Sequence, residues 1–278
     1  MNNPAADSRS LLFVPGNRPE RFDKARGSGA DVVILDLEDA VPPEKKRAAL
    51  DNVLRWVQAD NPAVVRVNAV GTATHEQEIA ALAGCRVAVM LPKAESTAQV
   101  EDVHNRLGQQ HALIPLIETP LGVRDAGEIA AAPGVIRLAL GTIDLAAALG
   151  VAPTSHAAFV WSRGALVVAS AAAGLPGPID GVTTQLDDEA VLDDDIDVAR
   201  TVGFSGKLCV HPRQVQAVNR AFLPSDVDVE WARRVVEAAA VAPGGVTVLD
   251  GAMIDAPVVT LAQRLLRRHE RFSPADGR

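Results

Sequence analysis

Three carboxylates, Asp36, Glu38 and Asp39, follow the apolar run Val32-Val-Ile-Leu35. Val, Ile and Leu without polar alternation predict a strand covered on both faces, as in a parallel sheet. Carboxylates are costly to bury at such a strand end unless cations or hydrogen-bond donors oppose them. The acids therefore point to a bound metal or a catalytic centre, or else they lie past the strand in solvent and cap the next helix. Glu118 closes Leu113-Ile-Pro-Leu-Ile-Glu118, and Asp144 closes Arg137-Leu-Ala-Leu-Gly-Thr-Ile-Asp144. Two carboxylates with open water positions are the usual protein contribution to a Mg2+ site that also ligates substrate oxygens. Their competing role is helix capping, Glu118 before Thr119-Pro120 and Asp144 before Leu-Ala-Ala-Ala-Leu.

Arg66 stands in Val-Val-Arg-Val-Asn, a charge inside an otherwise apolar run. A guanidinium there suits a bidentate grip on a carboxylate or a developing enolate oxygen. An ion pair with Asp36 or Glu38 is compatible with that role. Lys93, after Val-Met-Leu-Pro, serves the same acidic ring. In Pro15-Gly16-Asn17-Arg18-Pro19-Glu20-Arg21, Gly16 allows close backbone approach, and Pro19 opens a helix whose N-terminus favours anions. With Arg18, Arg21 and Lys24 nearby, this loop suits a phosphate-bearing ligand. His211 reads as a core or loop-bracing histidine. No P-loop, dinucleotide fingerprint, HExxH or G-x-S-x-G is present.

The elements that must hold these residues alternate regularly. Strands are expected at Leu11–Pro15, Val32–Leu37, Val64–Asn68, Val87–Pro92, Leu113–Glu118, Ile136–Gly141, Ile179–Thr184 and Lys207–His211. Helical patterns fall between them, at Pro19–Ala25, Pro43–Ala59, Glu76–Ala83, Thr97–Leu107, Val123–Ala131, Phe159–Ala173, Glu189–Val202 and Arg213–Phe222. Such a count predicts an α/β fold, the (β/α)8 TIM barrel, with a doubly wound open sheet as the alternative. Asp36, Glu38, Asp39, Arg66, Asn68, Lys93, Glu118, Thr119, Asp144 and His211 then gather at the C-terminal ends of the strands, where barrel enzymes build their sites. Residues 1–224 form the expected catalytic barrel. Residues 225–278 form a C-terminal helical extension, a lid or an oligomer contact, with one helix at Asp226–Ala242, a break at Pro243-Gly244-Gly245, and a final helix after Asp255.

Acidic residues number 35 against 27 basic ones, a net charge of −8, with 3% aromatics and no Tyr. That balance disfavours bulk nucleic acid and anionic membranes as partners. Cys85 and Cys209 are the only cysteines, which argues against a disulfide framework and for a reducing cytosol. No signal peptide is expected from Met-Asn-Asn-Pro-Ala-Ala-Asp-Ser, and Ala157–Leu175 reads as a buried helix containing Arg163.

The chain resembles the citrate lyase beta-subunit-like family, within the wider HpcH/HpaI aldolase and malyl-CoA lyase group. The likeness rests on Leu-Phe-Val-Pro-Gly-x-Arg-Pro-Glu-Arg (12–21), Asp-Leu-Glu-Asp-Ala-Val (36–41), Val-Arg-Val-Asn (65–68) and Leu-Pro-Lys (91–93). It continues through Ile-Glu-Thr (117–119), Gly-x-x-Asp-Leu (141–145), Gly-Phe-x-Gly-Lys (203–207) and His-Pro-x-Gln (211–214). The resemblance implies a Mg2+- or Mn2+-dependent carbon–carbon lyase, a homotrimer or hexamer. Such an enzyme reversibly cleaves a carboxylated 3-hydroxyacyl-CoA of malyl-, citramalyl- or citryl-CoA type into an acyl-CoA and a 2-keto acid. It also implies Glu118 and Asp144 as metal ligands, with Asp36, Glu38, Asp39 and Lys93 around them. Arg66 would hold the keto acid, and Phe13, Pro15, Gly16, Arg18 and Lys24 would lie near the CoA arm. Asp250-Gly-Ala-Met-Ile-Asp255-Ala-Pro257 resembles the segment that carries a catalytic aspartate, Asp255, across a subunit boundary in malyl-CoA and citramalyl-CoA lyases. Asp255 as a plain helix cap is the other reading. Ile143 replaces the acid that the family often has before the metal Asp. A non-autonomous subunit acting on an acyl-carrier thioester, or an aldolase for free hydroxy-keto acids, are the rival functions.

Overall fold

A computed structural model describes residues 3–241 and 245–272. Eight parallel strands close into a barrel: β1 (Ser10–Pro15), β2 (Val32–Asp36), β3 (Val64–Arg66), β4 (Ala88–Leu91), β5 (Leu113–Ile117), β6 (Ala139–Leu140), β7 (Ile179–Asp180) and β8 (Gly206–Cys209). Each strand pairs with its sequence neighbours, and β8 returns to β1 through Ser10 to Leu12. Leu11, Ile34, Val64, Met90, Ile114, Ala139, Ile179 and Leu208, one from each strand, belong to a single buried cluster. Alternate residues such as Leu12, Leu35 and Val65 are buried as well, so each strand reads as a continuous apolar run. The (β/α)8 expectation holds, and the open sheet is excluded by the β1–β8 pairing.

Helices follow the strands: α1 (Phe22–Arg26), α2 (Lys46–Gln58), α3 (Ala73–Leu82), α4 (Thr97–Leu107), α5 (Pro120–Arg124), α6 (Ala126–Ala130), α7 (Thr142–Leu149), α8 (Val160–Ala172), α9 (Glu189–Val202) and α10 (Pro212–Ala221). Several differ from the sequence expectation for local reasons. Pro19 opens a 3-10 turn (Pro19–Arg21), not an α-helix, and α1 has only five residues. The helix expected at Val123–Ala131 is split at Asp125 into α5 and α6. Helix α7 is absent from the expected set; its apolar Leu-Ala-Ala-Ala-Leu lacks helical periodicity. The strand expected at Ile136–Gly141 shrinks to two residues, because Gly141 already stands at the N-cap of α7.

Three buried cations, Arg137, Arg163 and Lys207, tie the strands to their surroundings. The fully buried Arg137 donates from Nη1 to Ser8 O at 2.6 Å, from Nε to Gly177 O at 2.8 Å and from Nη2 to Ser205 Oγ at 2.8 Å. On β7, Asp180 is buried between Arg163 of α8 (Nε–Oδ1 3.0 Å) and Lys207 of β8 (Nζ–Oδ2 3.2 Å). Burial alone pushes the Asp180 carboxyl up, but Lys207 and Arg163 outweigh it and hold the group below the usual range. Sequence patterning missed this triad, since each member sits alone in an apolar segment.

Backbone contacts divide the chain into two compact units, Met1–Asn219 and Arg220–Arg278. In the second unit, α11 (Asp226–Val241) and α12 (Ala256–Phe272) flank an antiparallel hairpin of β9 (Thr247–Leu249) and β10 (Ala252–Ile254). Ala232, Val235, Ile254 and Ala262 form its core. The extension is thus not purely helical. The hairpin turns on Asp250-Gly251, both with positive φ (51° and 80°), the Asp-Gly signal of a tight two-residue turn. Of the expected break, Pro243 and Gly244 lie outside the described residues, as does Ala242, the expected end of the preceding helix. Among the described residues no helix is long and apolar enough to cross a membrane.

An Asp180→Ala chain keeps two buried cations without their anion. It should lose about 3–5 kcal/mol of stability, read as a lower urea midpoint above pH 5. Because the folded-state pKa of Asp180 is depressed, its stabilising contribution is present above the unfolded pKa and disappears as pH falls. The gap between variant and parent should therefore close in acid.

Candidate active site

The backbone turn that follows β2 organises the barrel mouth. Asp36 Oδ1 and Oδ2 accept from the backbone N–H groups of Glu38 (2.9 Å) and Ala40 (3.1 Å), folding Asp36–Ala40 over its own carboxylate. From β3, Arg66 grips the same carboxylate through Nε and Nη2, both at 2.7 Å. Its remaining Nη1 lies 3.1 Å from Glu38 Oε2 and 3.9 Å from Asp39 Oδ2. The guanidinium also stacks over Phe13 of β1, 4.7 Å from the ring centroid. Burial works against the Arg66 charge, but Asp36 and Glu38 overcome it and raise its pKa further. Gly16 donates to Asp36 O at 2.8 Å, and a Cβ there would sit 2.9 Å from that oxygen. Only glycine lets the β1 loop approach the turn so closely.

Lys93, just past β4, links the turn to the other acids. Its Nζ is 2.9 Å from Glu38 Oε1 and 3.7 Å from Asp144 Oδ1, and its backbone N donates to Glu118 Oε1 at 2.9 Å. That donation comes with a left-handed backbone at Lys93, φ 50°. Glu118 is 2% exposed. Burial, with Glu38 and Asp144 close by, pushes its carboxyl up to about 8. Glu38 is raised too, by burial only partly offset by Arg66 and Lys93. Thr119 caps α5 through its Oγ1, which accepts from Gly122 N, so Glu118 itself is left out of the cap. Asp144 does not close a strand; it occupies the first turn of α7.

The structure therefore gathers Phe13, Asp36, Glu38, Asp39, Arg66, Lys93, Glu118 and Asp144 at one mouth, around a cavity of about 360 Å³. Ile143 also lines it, with Leu116, Val182, Leu208 and Val210 giving an apolar wall that the sequence reading did not single out. Pro15 closes β1 beside the turn. Arg18 is exposed and paired with Glu20 at 2.6 Å, and Lys24 is exposed on α1. The anion-binding helix N-terminus expected at Pro19 is not formed. His211 braces a loop, its Nδ1 accepting from Arg213 N at 3.2 Å. Asp255 belongs to the second unit, where it caps α12 with Oδ1 accepting from Val258 N at 3.2 Å. Among the described residues no cluster of three or more His, Cys, Asp or Glu side chains converges as a closed metal cage. Two convergent acids with room for water and substrate oxygens suit an open site for a hard divalent cation instead.

Residues 9–212 match the HpcH/HpaI aldolase/citrate lyase family. The chain belongs to this family of lyases. It is 41% identical over 274 residues to a citrate lyase subunit beta-like protein of Mycobacterium tuberculosis, covering 96% of this chain and 97% of that one. It is 33% identical over 282 residues to a (3S)-malyl-CoA thioesterase of Cereibacter sphaeroides, covering 98% of each. Among solved structures it superposes on CitE from Mycobacterium tuberculosis, a complex with magnesium, acetoacetate and coenzyme A. The TM-score is 0.81 at 38% identity, over 95% of this chain and 99% of that one. The matched region takes in every acid and cation of the barrel mouth.

In this family member Gly141 is a packing constraint on the site itself. A Cβ at Gly141 would fall on the Glu118 side chain. Gly141→Ala should cost about 1–3 kcal/mol of stability, as overpacking does, visible in thermal unfolding. Unchanged stability would show that Glu118 is free to move.

Proposed function

We propose that this chain is a Mg2+-dependent lyase that reversibly cleaves a carboxylated 3-hydroxyacyl-CoA of malyl-, citramalyl- or citryl-CoA type, giving acetyl-CoA or a related acyl-CoA and a 2-keto acid. The observation that carries the reading is the pair of carboxyl groups, Glu118 and Asp144, that line one cavity with Arg66. A carboxyl pushed up to about 8 by burial and then by its acidic neighbours is a group that a divalent cation would ionise and hold. Glu118 and Asp144 would be the direct ligands, with Asp36, Glu38, Asp39 and Lys93 fixing the surrounding charge. Mn2+ suits the same oxygen donors. When bound, the cation supplies Lewis acidity to the substrate hydroxyl and its neighbouring carboxylate.

The chain's own side chains do the remaining work. Arg66 is held rigid by Asp36 and Phe13, so it meets a developing oxyanion without reorganising. As the bond between the hydroxyl-bearing carbon and the thioester α-carbon breaks, its electron pair passes to the thioester as an enolate. The hydroxyl-bearing carbon becomes the carbonyl of the 2-keto acid, the hydroxyl proton leaving to a base. The enolate carbon then takes one proton, and Asp255 is the proposed donor, acting from the second unit of a neighbouring subunit. The cavity at Phe13 and the Pro15–Arg21 loop with Lys24 would accommodate the CoA arm. In this reading the protein assembles as a homotrimer or hexamer and works in a reducing cytosol, with Cys85 and Cys209 as buried free thiols.

Purified chain with Mg2+ should convert malyl-CoA or citramalyl-CoA to acetyl-CoA and a keto acid, seen by chromatography of the thioester products. Free CoA in place of acetyl-CoA would mark a thioesterase instead, and no turnover of any such thioester would reject the stand-alone lyase. Asp255→Asn should bind Mg2+ normally and lose at least about a hundredfold in turnover, the usual range for a general acid. A normal rate would leave Asp255 as a helix cap only.

Because Glu118 must lose its proton to bind the cation, Mg2+ binding at pH 7 should release up to about one proton per chain. Calorimetry in buffers of different ionisation enthalpy would measure it. Affinity should rise with pH up to about 8 and then level. Glu118→Gln should abolish both the proton release and the tight binding.

A further inference from the structure

Lys46 has no part in the chemistry above, yet its ammonium is fully committed. It is the first residue of α2, where the helix dipole disfavours a cation. Its Nζ donates to Leu37 O at 2.7 Å, Glu38 O at 2.6 Å and Asn68 Oδ1 at 2.7 Å, which uses all three hydrogens. Asn68 is in turn fixed from α3. Its backbone N and Nδ2 donate to Glu78 Oε2 and Oε1 at 2.7 and 2.6 Å, and its carbonyl faces His75 Nδ1 at 2.8 Å. Asn68 Nδ2 also reaches Leu37 O at 2.8 Å. Asn68, His75 and Glu78 are buried, and two residues, Lys46 from α2 and Asn68 from the loop after β3, converge on one peptide carbonyl pair.

That pair carries Glu38, the carboxylate shared by Arg66 and Lys93. The Lys93 ammonium has two anionic choices, Glu38 Oε1 at 2.9 Å and Asp144 Oδ1 at 3.7 Å, less than an ångström apart in reach. Its backbone cannot drift to favour either, being pinned through N to Glu118. The position of the Glu38 turn therefore decides which acid Lys93 neutralises. We propose that Lys46 is a positioning residue: by clamping the Leu37–Glu38 carbonyls it holds Glu38 against Lys93 and so keeps Lys93 from closing beyond 3.7 Å on the cation-binding carboxylate Asp144. The inference rests on Glu118 and Asp144 being the cation ligands. A purely structural Lys46, serving only as the counter-charge of buried Glu78, would have no specific link to Lys93.

Calorimetric titration of the full chain with Mg2+ separates these. Lys46→Met should weaken Mg2+ binding about tenfold, the range for residues that orient metal ligands. In a Lys93→Met background the same Lys46 change should have no effect, since no competing ammonium remains. Lys46→Arg keeps the charge opposite Glu78 but cannot aim three donors at one point, and it too should weaken binding. It also provides the measurement if Lys46→Met does not fold. Equal losses in both backgrounds, or parent-like affinity in Lys46→Arg, would overturn the inference. A parent chain that binds no Mg2+ would overturn the ligand assignment itself and this inference with it. Parent binding with unchanged affinity in Lys46→Met would overturn the inference alone.

Discussion

The barrel mouth depends on one carboxylate, Glu38, shared between two cations from different strands. Arg66 on β3 and Lys93 after β4 both reach it, at 3.1 and 2.9 Å. Without it, Arg66 would keep Asp36 but Lys93 would be left with Asp144, 3.7 Å away. Charge inside a protein is stable only where each ion has an opposing group and its remaining hydrogen bonds are met. Glu38 supplies the opposing charge to Arg66 and Lys93 at once, while the hydrogen bonds of Arg66 go to Asp36. Glu118, buried beside Glu38 and Asp144, has its carboxyl pushed up to about 8, and Glu118 and Asp144 are the pair of acids that the proposed function assigns to the cation.

Much of this was legible in the sequence because parallel barrels write their strands as unbroken apolar runs. Each of the eight strands lies within its expected segment or one residue from it, and α4 and α9 match residue for residue. Strand ends were legible for the same reason: a polar residue after Val, Ile or Leu marks the point where the chain leaves the core. That rule found Asp36, Arg66, Lys93 and Glu118 but misplaced Asp144. After two residues of strand the chain already winds into α7, and Gly141 hides the boundary.

The hidden parts share a physical cause. Buried ion networks leave no periodic trace, so Arg137, the Asp180 triad and the Lys46–Asn68–Glu78 chain look like isolated polar residues until the fold assembles them. The Asp250-Gly251 hairpin differs, because its turn signal was present and the helical expectation for the tail overrode it. The anion-binding helix start at Pro19 failed for a local reason. A 3-10 turn of three residues followed by a five-residue helix sums few peptide dipoles.

Arg137 also bears on how the molecule comes into being. Its guanidinium joins Ser8, which precedes the first strand, to Ser205, which precedes the last. The seam it fastens is the β1–β8 pairing, among the described residues the only strand contact between distant parts of the chain. Earlier strands find their partners close by in sequence, but this contact must wait until nearly the whole barrel has emerged during synthesis. Long-range closure of this kind is slow relative to local pairing. The barrel mouth is therefore closed only when the last strand meets the first, so a chain that lacks β8 lacks the seam as well as the strand.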